Sequence, residues 1–164
     1  MRVDVGIPGG ARSQTPAARQ LRESITEAFA AEGRTVDGWS DFVQRGVVED
    51  VITIMVRIAL EGMIWDAEKA PAHRALAAVR RVMADDRVGA IASIERPGTQ
   101  PVEYWIPSGP EGDLAFDALE ADYATDPPPG QRDWWPGIGW MTTREMIDRM
   151  EAGESVPPAS RPAN

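Results

Sequence analysis

The chain has 164 residues, no cysteine and a formal net charge of −9, long enough for one domain with a real core and too short for two comfortable ones. The missing thiols exclude disulfides, thiolate metal sites and cysteine nucleophiles together. The longest apolar run, 51–65, is interrupted by Thr53, Arg57 and Glu61, whereas a membrane span needs about 18 nearly uncharged residues. The opening MRVDVGIPGGARSQ lacks the apolar run and cleavage site of a secretory signal, so the expected location is cytoplasmic, or inside a particle assembled in the cytoplasm.

The charge is unevenly placed. Residues 1–100 carry 13 basic and 14 acidic side chains, whereas residues 101–164 carry 4 and 12. An acidic C-terminal third repels nucleic acid and favours solubility or a partner with a basic surface.

In chain order, residues 1–14 are glycine-rich and without periodicity, and read as an extended arm. Thr15-Pro16 supplies a hydroxyl N-cap and a proline at the first helical position. Leu21, Ile25, Ala28 and Phe29 then recur at helical spacing until Gly33. A short amphipathic turn with Trp39, Phe42 and Val43 follows. Residues 47–66 read as a central helix, because Asp50, Thr53, Arg57 and Glu61 step by three or four and trace one thin polar stripe on an otherwise apolar cylinder. A further helix is expected from Pro71 to 86, with Leu76, Val79 and Met83 facing the core and His73, Arg74, Ala77, Arg80, Arg81 and Ala84 on or beside the opposite face. VGAIASIE, RPGTQ and PVEYWIP read as strand, turn and strand, giving a β-hairpin at 88–106 with Pro97-Gly98 at its tip. Residues 112–123 form an acidic amphipathic helix that sets Phe116, Leu119 and Tyr123 against Asp113, Asp117 and Glu120.

The segment 124–141 contains DPPPG and then DWWPGIGW, with three of the six tryptophans within seven residues. The density of proline and glycine reads as a loop. Thr142-Thr143-Arg144-Glu145 is a capping box opening a short helix at 142–152, and 153–164 is a proline-rich tail. The organisation expected is thus an arm (1–14), a helical core with the hairpin (15–123), a Pro/Trp loop (124–141), a short helix and a tail. The fold class is α+β, mainly helical, with extended arms at both ends.

Two arrangements bear on function. Tryptophan is enriched at interface hot spots, so Trp134, Trp135, Asp133 and Ile138 are candidate partner-binding residues, with Trp140 a structural staple for the capped helix. In the other, a helical unit, a surface-faced helix and a two-stranded hairpin follow one another over about 60 residues (an order-of-elements match only). That order resembles a winged helix-turn-helix. The resemblance implies that His73, Arg74, Arg80 and Arg81 face DNA, with 88–106 as the wing. Against it, a chain of net charge −9 neutralises few phosphates.

No cofactor or metal is expected. GIPGGARS at 6–13 has neither the lysine nor the spacing of a phosphate-binding loop, and His73 is the only histidine, so no histidine pair exists to ligate a metal. The leading expectation is a non-enzymatic protein-interaction or assembly subunit of a phage or other multi-protein particle. It would work in a homo- or hetero-oligomeric assembly, docking through its Trp-rich acidic C-terminal region. The alternative is a winged-helix DNA-binding transcriptional regulator, and the third reading is a small hydrolase using the carboxylates clustered at 111–126.

Overall fold

The computed structural model describes residues 1–8, 16–42, 52–60, 65–84 and 88–160. Among these, seven strands form one mixed sheet in the order β2-β1-β3-β4-β5-β6-β7. The strands are β1 (Arg2–Pro8), β2 (Gly38–Phe42), β3 (Ile52–Ala59), β4 (Val88–Glu95), β5 (Val102–Ile106), β6 (Gly130–Trp135) and β7 (Gly139–Met141). The helices are α1 (Pro16–Ala31), α2 (Trp65–Val82), α3 (Pro110–Ala124) and α4 (Thr143–Glu151).

The chain repeats one unit three times. In β1–α1–β2, β3–α2–β4 and β5–α3–β6 a strand leads through a helix to a parallel neighbour. Successive units join antiparallel, β1 against β3 and β4 against β5. A parallel neighbour needs a crossover of a dozen or more residues, and each helix supplies it. No sequence repeat accompanies this architecture.

Alternation along the strands decides which side is core. Val3, Val5, Ile7, Ile54, Val56, Ile58, Ala90, Ala92, Ile94, Val102, Tyr104 and Ile106 are buried. The pairing register sets them side by side across four strands. They form a single cluster with Ile25 and Phe29 of α1, Ala75 and Val79 of α2, and Ala115 and Leu119 of α3. Three helices therefore cover one face of the sheet. At about 25 cal/mol per Å2 of apolar area removed from water, this layer is the main stabilising term.

The fold is α/β rather than mainly helical, and four expectations are corrected. The N-terminal arm contains β1, an interior strand whose Val3, Val5 and Ile7 alternate with Arg2, Asp4 and Gly6. The central helix is β3. Its stripe failed as a helix signal because Thr53 and Arg57, four apart, share a face in a strand as well as in a helix. The β-branched content of ITIMVRIA favours the strand. Ile52 and Met55, expected to be buried, are 36% and 39% exposed. Residues 9–14, 47–51 and 61–64, and with them Asp50 and Glu61, lie outside the described residues. The hairpin at 88–106 is present, but β4 and β5 are flanked on both sides within the sheet and neither is a wing. The Pro/Trp loop is a second hairpin, β6–β7, in which Pro136-Gly137 is the turn and Gly137 takes φ 74°.

Other expectations hold. α1 begins at Pro16, Leu76 and Val79 of α2 and Met83 just past its end are buried, and α2 starts ahead of Pro71 at Trp65 and ends at Val82. Phe116, Leu119 and Tyr123 line the inner side of α3. α4 carries the capping box: Thr142 Oγ1 accepts from the Glu145 N–H at 3.2 Å, and the Glu145 carboxylate accepts from the Thr142 N–H at 2.6 Å. Partial burial works against the Glu145 charge. The two Thr142 hydrogen bonds, with Arg132 and Arg149 nearby, more than offset it and hold the carboxyl below its ordinary range.

Two predictions follow from this packing. A methyl at Gly112 would stand 2.2 Å from the Pro107 carbonyl oxygen. Gly112→Ala, ordinarily stabilising inside a helix, should here cost about 1–3 kcal/mol in urea unfolding, while the exposed Asp113→Ala changes stability by less than about 0.5 kcal/mol. A carboxyl whose folded pKa is lowered stabilises above its unfolded pKa, and that share is lost as pH falls through the folded value. Glu145→Gln should therefore be less stable than the wild type at pH 7, with the gap narrowing on acidification below pH of about 4.

Candidate functional site

The second face of the sheet is built by the residues that alternate with the core. Among the described residues α1–α3 pack on the opposite side, and α4 meets only the β6–β7 end. The register arranges this face into two rows that run across the strands. The first is polar: Gly38, Asp4, Arg57, Ser93, Glu103 and Gln131 are successive cross-strand partners from β2 to β6. The second begins with Ser40 and Gly6 and then turns apolar. It runs through Met55, Ile91 and Trp105 to Asp133 and Met141.

These rows border a shallow depression of about 500 Å3, lined by Arg2, Asp4, Met55, Arg57, Ile91, Glu95 and Glu103 among others. Most of its charges neutralise one another. Arg2 Nε donates to Asp4 Oδ1 at 3.0 Å. Arg57 Nε donates to Glu95 Oε2 at 2.8 Å, and the Arg57 Nη2 makes a further contact with the same oxygen. The hydrogen bonds and charge of Glu95 raise the Arg57 pKa. Such exposed pairs contribute at most about 1 kcal/mol to stability. Their effect is to fix the direction of each charge on the surface.

The residues singled out for docking lie elsewhere. Trp134 and Trp135 are 7% and 6% exposed, Asp133 is fully buried, and Ile138 is half-buried next to the β6–β7 turn. Trp134 Nε1 donates to Glu111 at 2.8 Å and Trp140 Nε1 to the Ala115 carbonyl at 3.0 Å. The Trp140 ring stands edge-on to both Trp134 and Tyr104, with centroids at 5.5 and 5.0 Å. These indoles attach α3 to the sheet.

Beside them Arg132, 5% exposed, forks onto Asp122. Its Nη2 reaches Oδ1 and its Nε reaches Oδ2, both at 2.9 Å, and Nη2 also donates to the Trp140 carbonyl at 3.0 Å. The Tyr104 hydroxyl donates to the same carboxylate at 2.8 Å. Burial, and then that bond, push the Tyr104 pKa far above its ordinary value. The cluster ties β5, β6, β7 and α3 together.

The basic face of α2 is present but largely committed to ion pairs. Arg80 pairs with Asp117 of α3 at 2.6 Å and Arg81 with Glu32, just after α1, at 2.7 Å, while Arg74 is exposed and His73 half-buried. The carboxylates at 111–126 are likewise dispersed. Glu111 accepts from Trp134, Asp117 serves Arg80, Asp122 serves Arg132, and Asp126 serves Arg96. Among the described residues no group of three acidic or histidine side chains could hold a metal ion; the Glu120 side chain lies outside them.

Sequence reasoning missed the rows altogether. The signal was present in RVDVGI, where charged and apolar residues alternate, and in TIMVRI, ASIE and VEYW. No protein-family model matches the chain, and no curated protein is found to be similar to it. Function has to be read from the surface itself.

Truncating a buried indole costs about 3–5 kcal/mol. Trp134→Ala and Trp135→Ala should each lower the thermal midpoint by roughly ten degrees. A midpoint within two degrees of wild type for either would mean that its indole is not held in the folded chain.

Proposed function

We propose that this protein is a non-enzymatic protein-interaction module, and that it docks its partner on the face of the sheet opposite α1–α3. The observation that carries this reading is the pair of parallel rows. A polar row with Asp4, Arg57 and Glu103 lies beside a row in which Met55 is 39% exposed, Trp105 is half-buried and Ile91 is buried between them. Interfaces combine an apolar centre with a polar, oriented rim. Aromatic residues and methionine are enriched there. Among the described residues α1–α3 pack on the other side, and the strands present that combination on a rigid support.

The Trp-rich hairpin has a different part. It holds α3 and the β6–β7 end in place, so the β5–β6 side of the docking face keeps its shape. The acidic C-terminal third supplies long-range attraction for a basic partner, which raises the rate of encounter more than the final affinity.

Met55→Arg tests the reading. Met55 lies outside the core, so the variant should melt within about three degrees of wild type, as surface substitutions do. Full-length wild type and variant serve as baits in affinity purification from the producing cells, with mass spectrometry of what is retained. Truncation at a hot spot costs about 2 kcal/mol or more, so the true partner should fall at least tenfold on Met55→Arg. It should be retained on Leu114→Arg, an exposed α3 position away from the face. Partners held equally by wild type and Met55→Arg would overturn the proposal.

A further inference from the structure

The charges on the face do not balance, and the imbalance identifies what can sit there. Arg2 and Arg57 are each matched by a carboxylate, Asp4 and Glu95. Glu103 is different. It is half-buried, and among the described residues neither hydrogen bond nor ion pair engages its carboxylate. Its cross-strand neighbours are Ser93 and Gln131, which carry no positive charge. Two residues further along β5, on the same face, stands Trp105, with Ile91 beside it.

We infer that the occupant of this face is a cationic segment of a protein partner, an arginine or lysine placed against Glu103 and flanked by apolar side chains that lie on Met55 and Trp105. The inference rests on the reading of this face as a docking surface and adds the chemistry of the partner. Three classes of occupant can be compared. A neutral apolar surface would bury the Glu103 carboxylate with nothing to replace its water, which costs several kcal/mol unless the group is paired or neutralised. An acidic surface would add like-charge repulsion to that cost, on a chain already at −9. A cationic segment satisfies the carboxylate and is drawn in by the net charge.

The spacing also suits it. Successive same-face residues on a strand are about 6.6 Å apart, and Met55 to Trp105 spans two inter-strand gaps, about 10 Å. A long basic side chain whose apolar stem lies along the surface matches this step. An arginine would in addition stack its planar guanidinium on the Trp105 ring.

A randomised peptide display library provides the probe. It is selected on the immobilised full chain and counter-selected on Met55→Arg, and the peptides retained are titrated against wild type and Glu103→Gln at two salt concentrations. Among the described residues no hydrogen bond or ion pair of the Glu103 carboxylate supports the fold, so Glu103→Gln should melt like wild type. The expected result is enrichment of arginine or lysine flanked by apolar residues, roughly tenfold weaker binding to Glu103→Gln, and weakening at high salt. Neutral or acidic peptides that still depend on Met55, or basic ones that bind Glu103→Gln as tightly as wild type, would overturn the cationic assignment and leave the docking face standing. If no selected peptide is sensitive to Met55→Arg, the docking face fails and the assignment fails with it.

Discussion

A sheet has two faces, and in this chain the three crossover helices are all spent on the same one. That constraint organises the rest. Because α1, α2 and α3 pack on the residues in step with Val5, Val56, Ala92 and Tyr104, those positions must be apolar or internally satisfied, and the intervening ones need not be. Every strand therefore carries two independent messages at alternate positions, one addressed to the core and one to the outside. The three β-α-β units make this possible without sequence similarity. What each must supply is a strand, a helix with one apolar side and a return strand, and many sequences do so.

The β6–β7 end shows how the helix layer is closed. Arg132 is a cation inside an otherwise apolar layer, and its burial is tolerable because its guanidinium is ion-paired with Asp122 and its Nη2 donates to both Asp122 and the Trp140 carbonyl. A buried pair of this kind is weak evidence for added stability, but removing one partner typically costs about 3–5 kcal/mol. Its geometric effect is plainer. Asp122 near the end of α3, Tyr104 on β5 and Arg132 on β6 can meet only when α3 lies at one position along the sheet, and the indoles of Trp134 and Trp140 fix the other end of the same helix.

The parts legible in the sequence are those with local causes. α1 and α4 announce themselves by proline and capping chemistry, and the β4–β5 hairpin by Pro97-Gly98 between β-branched runs. Where local signals fit two periods, reading failed: Thr53 and Arg57 satisfy a four-residue helical step and a two-residue strand step alike. Proline and glycine misled at 124–141, because DPPPG and PGIG flank a six-residue strand, and the eye follows the punctuation rather than the short run between. The proposed docking face was illegible for another reason. Asp4, Arg57, Ser93, Glu103 and Gln131 come from five strands, and only the register sets them in one row.

The alternation has a consequence for how such a surface can change. The exposed residues of the two rows, Met55 and Arg57 among them, point away from α1–α3, so on the docking reading proposed above their substitution alters what the face recognises while sparing the helix-packed layer. On that proposal, fold maintenance and partner choice would be carried by separable sets of positions interleaved along the same strands. A lineage, or a designer, could retune specificity one outward side chain at a time, without passing through an unfolded intermediate.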